Sequence, residues 1–172
     1  KQGVSSCTAC PKGQSQSAAG QSECDDCTAG TYTNTTGSTS CQNCDAGKTS
    51  DSSLAVVCTN CPVGKYSLTA STECFNCTRG FFADSEASSS CTACEAGRIA
   101  KKQGASKCTV CPKGQSQPAS GQSECEDCKA GTYTDRNATS SCSECEAGKV
   151  SALKGSKQCS ACPEGQFQSA TG

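Results

Sequence analysis

The sequence predicts a small disulfide-rich repeat protein, an elongated rod of short β-hairpin and irregular repeats with little or no helix. Three observations lead to this fold class: 20 of the 172 residues are cysteine, the cysteines recur at a fixed step, and large apolar side chains are scarce. Aromatic residues make up 4% of the chain, which has no Trp, Met or His. Such a chain cannot build a sizeable apolar core, so cross-links must offset the entropy of ordering the backbone.

The cysteines form ten Cys-x-x-Cys pairs that divide residues 1–172 into one continuous array. Successive pairs are 17 residues apart, except for one step of 16 between Cys58 and Cys74. A fixed period of this kind indicates one structural repeat per step. The pairs open at Cys7, Cys24, Cys41, Cys58, Cys74, Cys91, Cys108, Cys125, Cys142 and Cys159.

A glycine stands three residues after the second cysteine of every pair. Such strict phasing predicts a tight turn with positive φ, a conformation that glycine adopts without steric cost. The rest of each repeat is rich in Ser, Thr, Gln and Ala and has no helical period, so we predict short two-stranded hairpins closed by disulfides. The phased glycines are Gly13, Gly30, Gly47, Gly64, Gly80, Gly97, Gly114, Gly131, Gly148 and Gly165.

The position two residues after this glycine is predicted to cover the neighbouring disulfide, which is a local packing role. Ser15, Thr49 and Ser116 occupy it in three repeats. The other seven repeats carry a larger apolar or aromatic residue there, namely Tyr32, Tyr66, Phe82, Ile99, Tyr133, Val150 and Phe167.

Three consecutive repeats form a longer period of about 50 residues. A repeat with proline after its second cysteine is followed by an aromatic repeat and then by one with a basic residue after its glycine. Of the 13 residues between Cys10 and Cys24, 11 equal those between Cys111 and Cys125, which indicates duplication within an array. The approximate super-repeats are 10–60, 61–110 and 111–161, with a partial repeat at 162–172.

The cysteine spacing is also close to that of zinc sites, so disulfides and zinc are competing interpretations. Disulfides are favoured because no histidine is present and the number of cysteines is even. The chain also carries three N-glycosylation sequons, at Asn34, Asn76 and Asn137, which are typical of a secreted or cell-surface protein in an oxidising compartment. We therefore expect no metal and no cofactor, apart from covalent N-glycans.

Two regular pairing schemes remain possible. Parallel pairing would join Cys7 to Cys24 and Cys10 to Cys27. The alternative, which treats every repeat alike, closes one loop of about 15 residues per repeat, each contributing roughly 3 kcal/mol. It joins Cys10 to Cys24, Cys27 to Cys41, Cys44 to Cys58, Cys61 to Cys74, Cys77 to Cys91, Cys94 to Cys108, Cys111 to Cys125, Cys128 to Cys142 and Cys145 to Cys159. Cys7 and Cys162 would then pair outside the segment, as expected for a piece of a longer array.

The motifs Cys-Thr-Ala-Gly-Thr-Tyr-Thr at 27–33 and Cys-Pro-Val-Gly-Lys-Tyr-Ser at 61–67 resemble known extracellular modules. They are similar to the cysteine-rich modules of tumour-necrosis-factor receptors, to ephrin-receptor-like cysteine-rich repeats and to repeats of protist surface antigens. The resemblance covers the whole chain. In the receptor modules the second cysteine of such a motif closes on the next cysteine, which implies the alternative scheme here.

Charge and composition exclude several classes of function. The net charge of −1 without a basic cluster argues against nucleic-acid binding, and no apolar run approaches the length of a membrane span. Catalysis is not expected, because histidine is absent and the carboxylates lie in repeated, exposed turns. We predict that the protein is not an enzyme.

The leading hypothesis is a structural component of an extracellular filament, appendage or surface coat. Its partners would be neighbouring copies of itself or further repeats of the same chain. Glycans are predicted at Asn34 and Asn137, and less firmly at Asn76, whose sequon contains Cys77. The alternative is a receptor or adhesion ectodomain stalk that binds a protein ligand, for which Phe75, Phe81 and Phe82 are the best candidate surface.

Overall fold

A computed structural model of the chain describes residues 6–171 and divides it into two compact units. Unit 1 comprises Lys1–Asn76 and Ser85–Ser90, and unit 2 comprises Cys77–Asp84 and Cys91–Gly172. The described residues contain short β-strands and no helix, and hence no helix with the length and hydrophobicity of a membrane span. The predicted fold class, a disulfide-rich repeat protein of short hairpins, is confirmed.

Each strand has two residues and pairs antiparallel with one partner. Within residues 6–171 the strands form nine separate two-stranded sheets. Unit 1 contains β1 (Gln14–Ser15) with β2 (Asp25–Asp26), β3 (Thr31–Tyr32) with β4 (Gln42–Asn43), β5 (Lys48–Thr49) with β6 (Thr59–Asn60), and β7 (Lys65–Tyr66) with β8 (Phe75–Asn76). Unit 2 contains β9 (Phe81–Phe82) with β10 (Thr92–Ala93), β11 (Arg98–Ile99) with β12 (Thr109–Val110), β13 (Gln115–Ser116) with β14 (Glu126–Asp127), β15 (Thr132–Tyr133) with β16 (Ser143–Glu144), and β17 (Lys149–Val150) with β18 (Ser160–Ala161).

The phased glycine forms the turn that starts each hairpin. Lys48 donates its backbone N–H to the carbonyl oxygen of Asp45 at 3.0 Å, and Gly47 between them has φ of 87°. All ten phased glycines have positive φ, as the sequence predicts. Glycine is required because a side chain in this conformation would crowd the backbone.

A second residue with positive φ lies in the loop between the two strands of each sheet, and only some repeats have glycine there. Leu54, Ala70, Ala87 and Ala138 adopt φ between 56° and 63°. Non-glycine residues hold this conformation only where surrounding contacts fix it. The amides of these four residues donate to the carbonyl oxygens of Cys27, Cys44, Cys61 and Cys111, respectively.

Backbone hydrogen bonds repeat from one hairpin to the next inside each unit. In unit 1, Gly30 donates its N–H to Ser50 O at 2.8 Å, and its carbonyl accepts from Cys44 N at 2.9 Å. In unit 2, Gly97 makes the equivalent pair with Gln117 O at 2.7 Å and Cys111 N at 2.9 Å. Because these groups belong to the main chain, the stacking does not depend on particular side chains.

The core of both units is formed mainly by half-cystines. The second cysteine of each pair is almost inaccessible to solvent from Cys10 to Cys145, and the larger apolar side chain of Ile99 is 1% exposed. Polar side chains share this interior: Ser67 is fully buried and its hydroxyl donates to Lys48 O at 3.1 Å. No buried side-chain N or O atom lacks a hydrogen-bond partner in the part of the chain that the structure describes. Disulfides and main-chain hydrogen bonds thus replace an apolar core.

Candidate functional site

Nine disulfides, one per hairpin loop, are the principal chemical feature of residues 6–171. Their pairing is that of the scheme treating every repeat alike, and each loop separates its cysteines by 14 residues, or by 13 at Cys61–Cys74. Cys7 and Cys162 form no disulfide among the described residues. The bonds are Cys10–Cys24, Cys27–Cys41, Cys44–Cys58, Cys61–Cys74, Cys77–Cys91, Cys94–Cys108, Cys111–Cys125, Cys128–Cys142 and Cys145–Cys159.

The position two residues after the phased glycine lies beside the disulfide of the next repeat. The Ser15 hydroxyl is 3.4 Å from Cys41 Sγ, and the Ser116 hydroxyl is 3.4 Å from Cys142 Sγ. The hydroxyl of Thr49 is 3.7 Å from Cys74 Sγ. The predicted position beside the next disulfide is therefore confirmed for the three repeats that carry a hydroxyl residue there.

Phe167 occupies the same position and is 88% exposed. No disulfide of a following repeat lies within the described residues, so the cover role of Phe167 stays a prediction. Val150 is 37% exposed, and Cys162, the second cysteine of the following pair, forms no disulfide among the described residues. Ile99, at the equivalent position, is followed by the Cys111–Cys125 disulfide and is 1% exposed.

The three sequon asparagines are all exposed to solvent. The Asn34 Oδ1 atom accepts a hydrogen bond from Thr35 Oγ1 at 3.1 Å, and the Asn137 Oδ1 atom accepts one from Lys113 N at 3.0 Å. Asn76 differs because it lies in strand β8, next to the fully buried Cys77. Asn34 and Asn137 lie in exposed loops outside the strands, and glycosylation of all three asparagines stays a prediction.

The acidic pair on strand β2 is exposed and engaged by glutamine side chains. Gln14 donates Nε2–H to Asp26 Oδ1 at 2.7 Å, and Gln16 lies 3.3 Å from Asp25 Oδ2. The described residues contain no group of three or more His, Cys, Asp or Glu side chains arranged to hold a metal ion. These carboxylates therefore act as hydrogen-bond acceptors on the hairpin surface.

Two of the three phenylalanines near the shortened step, Phe75 and Phe81, have separate local partners. In unit 1, the Phe75 ring packs against Tyr66, its cross-strand neighbour, with 6.0 Å between ring centroids. In unit 2, Phe81 lies against Gly121, where an added Cβ would stand 3.5 Å from its ring. Local packing accounts for both contacts, as expected for aromatic residues in a chain with little core.

One ion pair stands out electrostatically. Lys149 Nζ donates to Glu146 Oε2 at 2.8 Å, and this hydrogen bond lowers the pKa of Glu146 and raises the pKa of Lys149. Both groups are exposed, so water screens the interaction and its contribution to stability is small. Neither group sits in the desolvated cleft that acid–base catalysis requires.

Sequence reasoning missed the contacts that the glycines make two repeats further along. A Cβ added to Gly47 would overlap the carbonyl of Ala87, and one added to Gly97 would overlap that of Ala138. The only sequence feature that could have predicted this close approach is the phased glycine itself. Its partners carry no common side chain, since Ala, Leu and Gly all occur there.

Comparison with known proteins identifies the repeat type. A protein-family model described as tyrosine-protein kinase ephrin type A/B receptor-like matches four overlapping segments, 1–44, 13–61, 64–107 and 97–145. Together these segments cover most of the chain. No curated protein matches the sequence.

Proposed function

Because this chain belongs to the ephrin type A/B receptor-like family of cysteine-rich repeats, we propose that it is a structural component of an extracellular filament, appendage or surface coat. Repeats of this family form extracellular, receptor-type cysteine-rich regions of a non-catalytic ectodomain type. The proposal is narrower: it assigns to this array a building role outside the cell, with glycans at the exposed sequons.

The observation that carries the proposal is the repetition of main-chain hydrogen bonds inside each unit. The same glycine amide and carbonyl contacts recur at Gly13, Gly30 and Gly47, and again from Gly80 onward. A repeat held by its own disulfide and by main-chain contacts can be added many times without new side-chain complementarity. This property suits a structural array.

Exposed apolar side chains in unit 1 support contacts with a neighbouring copy. Six of the ten exposed large apolar residues of the described chain fall within one segment, between Leu54 and Phe75. Val57 is 66% exposed and Leu68 is 62% exposed. Apolar surface concentrated on one part of a protein is typical of an interaction site. We propose that another copy of the chain covers this segment.

Sedimentation velocity and electron microscopy of the secreted, oxidised protein test this proposal. We expect concentration-dependent assembly that is weakened by the double variant Val57→Ser, Leu68→Ser. The matched control is Leu153→Ser, since Leu153 is 76% exposed but lies outside the segment. A protein that stays monomeric at all concentrations, or equal weakening by the control, would contradict the proposal.

The alternative is a receptor or adhesion stalk that binds a protein ligand, and the family match favours it as a second candidate. The same sedimentation experiment separates the two. A stalk would remain monomeric by itself and would form a complex of defined stoichiometry with its soluble ligand.

A further inference from the structure

Three equivalent clefts recur along the chain, one per super-repeat. Each contains an aromatic ring, a carboxylate, a basic side chain and the second cysteine of the local disulfide. The first cleft, in unit 1, is lined by Tyr32, Asp45, Lys48 and Cys58. The second and third clefts, in unit 2, are lined by Phe82, Glu95, Arg98 and Cys108, and by Tyr133, Glu146, Lys149 and Cys159.

The clefts follow the super-repeat period residue by residue. From the first cleft to the second every one of these residues shifts by 50 positions, and from the second to the third by 51. The second cleft is the informative one: Phe82 and Arg98 differ in identity from both of their counterparts, and Glu95 differs from Asp45, yet the aromatic, acidic and basic positions are kept. Duplication of identical sequence does not explain this agreement.

Other joints between repeats lack the combination. Tyr66 is aromatic, but the equivalent acidic and basic positions of the following repeat are Thr78 and Phe81. After Ile99 the same positions are Pro112 and Gln115. At these equivalent positions of the described chain, an aromatic residue, an acid and a base therefore coincide only where an aromatic repeat is followed by a basic repeat.

The phased glycine turn fixes the spacing between the acid and the base. They occupy the first and last positions of the turn, and the basic residue donates its backbone N–H to the acidic residue's carbonyl. This distance is 3.0 Å for Lys48 to Asp45, and the same for Arg98 to Glu95 and for Lys149 to Glu146. The acidic and the basic side chain of each cleft therefore extend from the same hydrogen-bonded turn.

The aromatic residue of each cleft is partly buried, and it lines the same cavity as a cysteine of the next disulfide. In the third cleft, Tyr133 lines the same cavity as Glu146 and Lys149, and Lys149 Nζ donates a hydrogen bond to Glu146 Oε2 at 2.8 Å. The ring and the charged pair therefore belong to one surface.

From this arrangement we propose that the three clefts form a repeated binding site for neutral sugar rings of a glycan. An aromatic face offers an apolar platform to the C–H face of a pyranose. The adjacent carboxylate accepts hydrogen bonds from hydroxyl groups, and the Lys or Arg side chain donates to their oxygens. The cavity volumes are about 310, 440 and 200 Å³, in the range of one or two sugar rings.

Charge balance favours a neutral ligand. Each triad of ring, acid and base has no net charge, which disfavours phosphate or another anion, and the described residues show no metal-binding group nearby. A peptide segment is the other class that such a cleft could hold, and the test includes it as an outcome. Three sites on one chain would bind a repeating glycan with avidity beyond that of one cleft.

The binding test uses the enzymatically deglycosylated, oxidised chain and NMR titration of its assigned side-chain resonances. The probes are four neutral trisaccharides: chitotriose, mannotriose, cellotriose and β-1,4-galactotriose. Each is added to about 20 mM, because a site this small gives Kd values in the millimolar range. At least one trisaccharide should shift Tyr32, Phe82 and Tyr133 together.

Serine is the substitution of choice for the rings, because Ser15 and Ser116 occupy the same position in other repeats and contact the disulfide there. The triple variant Tyr32→Ser, Phe82→Ser, Tyr133→Ser should lose at least tenfold in affinity. Tyr66→Ser is the matched control and should leave the affinity unchanged. Replacing the three acids by their amides should also weaken binding while leaving the fold unaltered.

Three results would overturn the proposal. No cleft resonance moves with any of the four trisaccharides, or Tyr66→Ser weakens binding as much as the triple variant does. The third is a cleft response only to an acetylated Lys-Pro-Pro-Glu peptide, which would assign the clefts to peptides. If enzymatic removal of the N-glycans shifts the same resonances, the bound sugar is part of the chain's own N-glycans. If it does not shift them, the bound glycan belongs to another molecule.

Discussion

Replacing Gly97 with alanine tests the contact between repeats two steps apart. Gly97 has φ of 78°, and a Cβ built on it would overlap the Ala138 carbonyl. In the 172-residue chain Gly148 serves as the matched control: it follows the same Glu-Ala dipeptide and has φ of 82°, and no repeat two steps further along is present for its added Cβ to meet. The two substitutions therefore share the conformational penalty and differ in the overlap.

The expected magnitudes follow from this difference. Alanine in the left-handed region costs about 1–2 kcal/mol at both positions. At Gly97 the overlap must also push away main-chain atoms, which adds about 1–3 kcal/mol as in overpacked cores. Gly97→Ala should therefore destabilise its repeats by about 2–5 kcal/mol, and Gly148→Ala by about 1–2 kcal/mol.

Native-state hydrogen exchange is the suitable assay, because an array of repeats can open locally without unfolding as a whole. The reporter amides are those of Cys111 and Ala138, which donate to Gly97 O and Cys111 O at 2.9 and 2.8 Å. The reporter amide for Gly148→Ala is that of Cys162, which donates to Gly148 O. An extra destabilisation of about 1–3 kcal/mol means that Gly97→Ala should accelerate exchange of its reporters roughly 5- to 150-fold more than Gly148→Ala accelerates exchange of Cys162. Equal acceleration in both variants would refute the contact.

Three further predictions concern single side chains. Asn34→Gln should remove one endoglycosidase-sensitive mass step from the secreted protein, and an unchanged mass would show that Asn34 is not glycosylated. Lys149→Met should raise the NMR titration midpoint of Glu146, because Lys149 lowers the pKa of that carboxyl. The small stabilisation that Glu146 contributes is present above the pKa of the carboxyl in the unfolded chain, and it is lost as the pH falls through the lower pKa of the folded state. Ile99→Ala should cost about 2–4 kcal/mol in local hydrogen-exchange stability, whereas Val150→Ala, at the half-exposed equivalent position, should cost less than about 1 kcal/mol.

The hairpins and their first turn could be predicted because the responsible residues are invariant within the chain. Positive φ favours glycine at Gly47 and its nine counterparts, so the position of the turn can be read from the spacing of these glycines. The cover position was predictable for the same reason, as its contact with the next disulfide depends only on distance along the repeat. Ser15 at 3.4 Å from Cys41 Sγ makes this contact without any apolar surface.

The second turn and the contacts across two repeats had no such signal. Leu54 and Ala87 adopt positive φ because Cys27 and Cys61 accept their amide hydrogens, and this constraint comes from stacking. The clefts were hidden for a related reason: Tyr32 and Lys48 belong to different repeats, and only the folded hairpins bring them to one surface. Residue type identifies a repeat, whereas stacking determines which repeats share a surface.

Disulfide mapping of the unreduced protein tests the central claim, that one disulfide closes each repeat, most directly. Asp25 and Asp26 separate Cys24 from Cys27, so cleavage before aspartate divides the two cysteines. If Cys10 is bonded to Cys24, the peptide that ends at Cys24 will be recovered without the peptide that contains Cys27. Recovery of the two peptides joined through Cys10 and Cys27, with Cys7 bonded to Cys24, would contradict the account.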